Sequence, residues 1–195
     1  MKLTFKKEVN KVNLERAIHI FDISFRGLFE KRITEKADRK ALYKLILENE
    51  DILYAYDEKG KVVGLCGIAT KENNNKVVKV KDLRRLLGFS VGVVFASFFD
   101  NRKAVKKNEL CISFIAVDKK ERRRKIATKM VNKVLEYSTT NNKNTIFVDN
   151  VPGNTPADKL FIKFDFSLKE KIETKKYKKA FGVEFDNYNR YVKIL

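Results

Sequence analysis

An apolar run at residues 110–117, LCISFIAV, passes directly into a charged run at 118–125, DKKERRRK, after which the chain resumes as IATKMV. Strand-type residues that empty into a basic turn at the start of a helix form a setting for phosphate. The first amides of a helix lack intrahelical partners, the helix dipole favours negative charge there, and Arg122, Arg123, Arg124 and Lys125 supply cations. The chemistry expected from this stretch is capture of an anionic cofactor or ligand.

Other chemistry-bearing residue types are sparse. Cys66 and Cys111 are the two cysteines, both in apolar strand-like surroundings without C-x-x-C spacing, and His19 is the single histidine. That inventory sets aside most zinc and redox constellations, so no metal is expected and the thiols read as reduced and buried. The net charge of +18 has two readings. One is an electrostatic footprint for nucleic acid, ribosome, anionic membrane or acidic cofactor; the other is dispersed, solvated lysine, as in the Asn- and Lys-rich stretches at 73–75 and 141–144. Only the run at 118–125 has a defined structural setting.

These residues must be positioned by a packed globule. A chain of 195 residues with 44% hydrophobic content and 15 phenylalanines can bury one sizeable core, and its composition does not divide, so a single domain over 1–195 is expected. The longest apolar run, residues 86–99, is too short to cross a bilayer and carries Gly88, Ser90, Gly92 and Ser97. The N-terminus lacks the succession of a signal peptide. A cytoplasmic protein with no membrane association is the expectation.

The hydrophobic periodicity predicts alternating elements. A short strand at 3–9 precedes an amphipathic helix at 14–30 and a second at 37–47, with Thr34 as its expected cap. Strands at 51–56 and 61–69, joined by Asp57, Glu58, Lys59 and Gly60, read as an antiparallel hairpin. A helical segment at 81–99, a strand at 110–117, a helix at 122–139, a strand at 145–148 and a helix at 154–163 follow. Two strands, 166–172 and 188–195, close the chain around a loose helix or loop. The predicted fold class is α/β with a mixed sheet and helices on its faces.

Two patterns in register now resemble a known family. Val117-x-x-x-x-Arg122-x-x-Lys125-Ile126-Ala127, after an apolar strand and opening a helix, resembles the cofactor signature of the GNAT superfamily of acyl-CoA-dependent N-acyltransferases: Arg or Gln, two residues, Gly, one residue, Gly or Ala. One helix and one strand later, Asn154-x-x-Ala157-x-x-Leu160-Phe161-x-x-x-Asp165-Phe166 is similar to that family's Asn-x-x-Ala-x-x-Leu-Tyr-x-x-x-Gly-Phe. The resemblance covers residues 109–166. It implies a GNAT-like fold: a central, mostly antiparallel mixed sheet of six to seven strands with helices on both faces.

The resemblance also implies a cofactor, acetyl-CoA, as acyl donor, held mainly by backbone. Ile115, Ala116 and Val117 would lie beside the pantetheine arm, where the strand splays from its neighbour. Arg122, Arg123, Arg124, Lys125, Ile126, Ala127 and Thr128 would wrap the pyrophosphate, and Asn154 would approach the arm from the other side. Three positions depart from the family pattern. Lys125 stands where the first Gly is usual, Phe161 where many members carry a Tyr able to protonate the leaving thiolate, and Asp165 where a Gly is usual. A phenyl ring cannot donate a proton.

A general base bordering the cleft is sought among Glu109, Ser113, Asp149 and Asn150. Glu109 is the candidate catalytic residue, a solvated strand end being the alternative; Asp149 and Asn150 read as a turn or cap before Pro152 and Gly153 ahead of a catalytic role. His19 and Tyr137 read as packing residues. The acceptor would be defined by the helices at 14–49 and the aromatic segment 81–99, which reads as core, as a pocket wall for an apolar amine, or as a homodimer contact. Three functions remain in order: an N-acetyltransferase acting on a primary amine of a small molecule or protein, a non-catalytic acyl-CoA binder, and a basic nucleic-acid or ribosome-binding protein. The absence of an RNA-reading signature places the last of these third.

Overall fold

The computed structural model describes residues 1–73, 78–89, 92, 105–173, 178 and 185–195. In chain order the elements are β1 (Thr4–Lys6), α1 (Lys11–Phe29), α2 (Lys36–Asn49), β2 (Asp51–Tyr56), β3 (Val62–Thr70), α3 (Val80–Leu87), β4 (Glu109–Val117), α4 (Ile126–Thr140), β5 (Thr145–Asn150), α5 (Thr155–Lys163), β6 (Ser167–Glu173) and β7 (Asn187–Ile194). The strands form one seven-stranded sheet in the order β1-β2-β3-β4-β5-β7-β6. Every neighbouring pair is antiparallel except β4 and β5, which run parallel through the α4 crossover. The predicted α/β class, the mixed sheet and the order of elements are all observed.

Two apolar layers sandwich this sheet. One packs Ala17, Ile18 and Phe21 of α1 and Leu42, Tyr43 and Ile46 of α2 on Tyr54, Leu65, Phe114 and Ala116. The other packs Ile126, Met130 and Val134 of α4 and Phe161 of α5 on Cys66, Leu110, Ile112, Ile146 and Val148. The i, i+3/i+4 spacing of each helix's apolar residues produces this, since it turns one stripe of each helix onto the sheet.

Four local readings are corrected. Thr34 does not cap α2: the N-cap is Glu35 without a side-chain cap bond, and the Thr34 carbonyl instead accepts from Arg39 Nη1 at 2.6 Å. The helix predicted from Arg122 begins at Ile126, because Arg123 (φ 65°) and Lys125 (φ 60°) are left-handed and cannot continue a right-handed helix. The first strand is shorter than expected, since Asn10 already caps α1 by accepting from the Asn13 amide at 2.9 Å. Of the helical segment predicted at 81–99, Val80–Leu87 is helical and stops at Gly88, with φ 78°; residues 90, 91 and 93–99, including Phe95, Phe98 and Phe99, lie outside the described residues, as do 74–77 and most of the β6–β7 connection.

Candidate active site

The site begins with a bulge. β3 and β4 pair in steady register from Gly64↔Val117 to Gly67↔Phe114, then resume at Ile68↔Ile112, so Ser113 is the extra residue in β4. Its effect on side-chain direction is large. Leu110 and Ile112 point into the α4 layer, whereas Phe114 and Ala116, which strict alternation would put on that same face, point into the α1 layer.

The bulge is also where β4 leaves β5. The parallel ladder runs Glu109↔Thr145, Leu110↔Ile146, Cys111↔Phe147 and Ile112↔Val148 and extends no further. Beyond it, residues 114–117 pair only with β3, Ser113 is the bulge, and Asp149 and Asn150 pair only with β7. The strands thus part at their carboxyl ends, each leading into its own helix, and one edge of β4 faces the gap. A crevice of this kind, between diverging parallel strands, is the usual ligand position of an open α/β sheet.

At the mouth of the gap the charged turn is built by its own backbone. Asp118 accepts from the Lys120 amide at 2.9 Å and starts a short 3-10 turn, Lys119–Glu121. Arg124 pairs with Glu121 at 2.8 Å, and Arg122 Nε reaches back to the Val117 carbonyl at 3.5 Å. The two left-handed residues, Arg123 and Lys125, then swing the chain into α4. Its first intrahelical bond is Lys129 N–H to the Lys125 carbonyl at 3.0 Å, and no side chain caps the helix. The amides of Ile126, Ala127 and Thr128 therefore precede the ladder and have no intrahelical partner. Arg122, Arg123, Arg124 and Lys125 are exposed around them, while Ile126 is buried and anchors the turn to the sheet.

On the far side of the gap, Asn150 and Asn154, both named in the sequence reading, stand in a polar cluster with Asp158 and Tyr191, which it did not name. Asn150, buried at the end of β5, donates to Asp158 Oδ1 at 2.7 Å and accepts from Asn154 Nδ2 at 3.1 Å. The Tyr191 hydroxyl has its pKa raised by burial and by the neighbouring Asp158. Phe161 lies beside it, buried, with its ring 6.3 Å from Tyr191 and 5.5 Å from Phe166. Asn154 is thus held at the N-terminus of α5 through Asn150, and Phe161 belongs to the buried apolar layer under α4 and α5.

Both candidate carboxylates are engaged by cations. Glu109 sits at the start of β4, in the paired half, four residues or roughly 13 Å of strand before Ser113. It accepts from the Lys106 amide at 3.0 Å and pairs with Lys106 Nζ at 3.7 Å. Asp149 is clasped by Arg190 at 2.7 and 2.8 Å, and that carboxylate raises the guanidinium's pKa further. His19 lines an open depression of about 610 Å³ with Arg16, Asp57, Lys61, Asp118 and Lys120. Glu121 and Arg124 also line it, so the charged turn forms one side of it, while none of its lining residues comes from β5 or α5. Tyr137 lies on α4 beneath Lys7, whose ammonium is 4.7 Å from its ring.

Comparison with known proteins gives the family and the fold. The Acetyltransferase (GNAT) family matches residues 15–166, and the chain belongs to that family. Its fold is shared with solved structures at low identity. A GCN5-related N-acetyltransferase from Kribbella flavida superposes with a TM-score of 0.64 at 12% identity, covering 99% of this chain and 98% of that one. A histone acetyltransferase HPA2 and related acetyltransferase from Corynebacterium glutamicum gives 0.65 at 14% identity over 100% and 97%. An IAA acetyltransferase from Bacillus cereus gives 0.58 at 11% identity over the full length of both chains. No curated protein matches the sequence.

Proposed function

We propose that this acetyltransferase-family protein moves an acetyl group from acetyl-CoA to a primary amine of a small molecule or protein by direct attack within a ternary complex. The observation that carries the reading is the open edge of β4 at residues 113–117 running straight into a turn whose helix amides are free. Both parts fit the donor. An extended arm bearing amides can pair with a strand edge, and a diphosphate suits three converging N–H groups under surplus cations.

Ile115, Ala116 and Val117 would orient the pantetheine arm. Arg122, Arg123, Arg124, Lys125, Ile126, Ala127 and Thr128 would hold the phosphates, with Asn154 and Phe161 forming the opposite wall. When bound, acetyl-CoA supplies an activated acetyl carbonyl and a thiolate leaving group. The chain's contribution is proximity, orientation and dipoles aimed at the carbonyl oxygen. Glu109 lies in the paired half of β4 and Asp149 is held by Arg190, so neither is assigned the amine's proton, and solvent is the proposed base. Phe161 offers packing and no proton, so solvent also meets the thiolate.

The test is thiol release from acetyl-CoA across a panel of primary amines. Steady release with at least one amine is expected, with kcat/KM rising with pH toward the amine's own pKa and Glu109→Gln retaining activity within a few-fold. Saturable CoA binding with no release from any amine would favour the non-catalytic binder, the reading to which Phe161 lends weight.

A further inference from the structure

The charged turn is held from behind by a helix on the opposite face of the sheet. Arg16, on α1, donates through Nε to the Val62 carbonyl at 2.5 Å and forms an ion pair with Asp118 through Nη2. Asp118 is the first residue after β4 and is only 8% exposed. Its own amide donates to the Val63 carbonyl at 3.0 Å, its Oδ1 accepts from Lys120 N–H, and its carbonyl accepts from Glu121 N–H at 2.9 Å. One turn earlier on α1, Asn13 accepts from Val62 N–H at 3.0 Å and donates to the Gly60 carbonyl at 3.2 Å. Helix α1 thus fixes the start of β3 and the end of β4 together.

We propose that Arg16 is a positioning residue for the acyl-CoA site, acting through Asp118. The inference rests on the acetyl-CoA reading above. Two non-glycine residues of the turn, Arg123 and Lys125, occupy left-handed backbone. A conformation that costs energy persists only where its surroundings over-determine it. At the upstream end of the turn that restraint is Asp118, whose carboxylate charge in a nearly buried place is compensated by Arg16. Without the guanidinium, Asp118 turns toward water, the 3-10 turn loosens, and the amides at 126–128 lose their common aim. The loss falls on cofactor binding, because neither residue lies in the gap where the acetyl group would be transferred.

The experiment measures CoA affinity by calorimetry, together with steady-state kinetics, for wild type, Arg16→Met, Asp118→Asn, the double variant and Arg16→Lys. Asp118→Asn keeps an oxygen for the Lys120 amide and removes the charge together with the acceptor that Arg16 uses. Each single variant is expected to weaken CoA binding and raise the acetyl-CoA KM by about tenfold, with kcat at saturation and the amine KM within about twofold. The double variant should be no weaker than the worse single, and Arg16→Lys should fall between wild type and Arg16→Met. Unchanged CoA affinity in the variants beside a wild type that binds would overturn this inference and leave the functional reading standing. So would a lowered kcat at unchanged KM. A wild type that does not bind CoA would overturn both. Should Arg16→Met fail to fold, Arg16→Lys and Asp118→Asn decide on the same criteria.

Discussion

At Lys125 and Asp165 the chain departs from the glycines of its family's pattern, and both residues have φ of 60°. Glycine is favoured at such positions because a Cβ in left-handed backbone crowds the neighbouring carbonyl. The need is therefore conformational at both sites, whatever further role close approach to phosphate plays at the first. Lys125→Gly is expected to stabilise the protein by up to about 1 kcal/mol in urea unfolding, and Lys125→Ala, which keeps the Cβ, to give no such gain. A Gly variant less stable than the Ala variant would contradict this. The sequence exposed Lys125 as the odd residue of its motif. It did not expose the reason, since a lysine gives no hint of left-handed backbone; the dihedral is imposed by the Asp118 turn on one side and buried Ile126 on the other.

Among the elements, the strands and helices were legible because their apolar residues recur at two or at three and four. The bulge at Ser113 was not legible. Residues 110–117 are apolar on both faces, so the alternation that would betray an extra residue is silent. Yet this bulge turns Phe114 toward α1, where its ring lies 4.9 Å from Phe21 and 5.9 Å from Phe25. Gly67 makes room for it: a Cβ there would lie 2.5 Å from Phe114 Cε1. Gly67→Ala is expected to cost about 1–3 kcal/mol, and Phe114→Leu to recover part of that cost in the double variant. Strict additivity would show that the two do not share this space.

A second prediction at this scale concerns the turns at the opposite end of β4. Lys143, after α4, is nearly buried and donates to Glu72 at 2.8 Å and to the Lys107 carbonyl at 2.6 Å. The Lys143 hydrogen bond is the largest influence lowering the Glu72 carboxyl from its ordinary 4.5 to about 2. A folded pKa below the unfolded one contributes stability above pH 4.5 that is lost as the pH falls toward 2. Glu72→Gln should therefore be less stable than wild type at neutral pH, and the difference should close on acidification from pH 4.5 toward about 2. A gap that widens in acid would refute the pairing.

Over the whole molecule, one sheet carries a helical layer on each face, and the basic residues behind the charge of +18 are scattered along the sequence. The dense part is the turn at 118–125, beside the gap between β4 and β5. If that turn meets phosphates, the KM for acetyl-CoA should rise with ionic strength between about 0.05 and 0.5 M while the KM for a neutral acceptor stays flat. A flat acetyl-CoA KM would leave the holding to backbone alone. Among the described residues, no helix is long and apolar enough to cross a membrane. The cofactor side was the legible half because its turn is written in contiguous residues. The acceptor side was not, because no contiguous motif marks it, and residues 90, 91 and 93–99 of the aromatic segment expected to define it lie outside the described residues.

The most direct measurement of the central claim is amide hydrogen exchange with and without acetyl-CoA. Slowed exchange is expected at residues 113–117 and 126–128 together, since the first are an open strand edge and the second are free helix amides. Exchange unchanged in both segments at saturating acetyl-CoA, or protection confined to the depression around His19 and Lys61, would contradict the placement of the donor in the gap between β4 and β5.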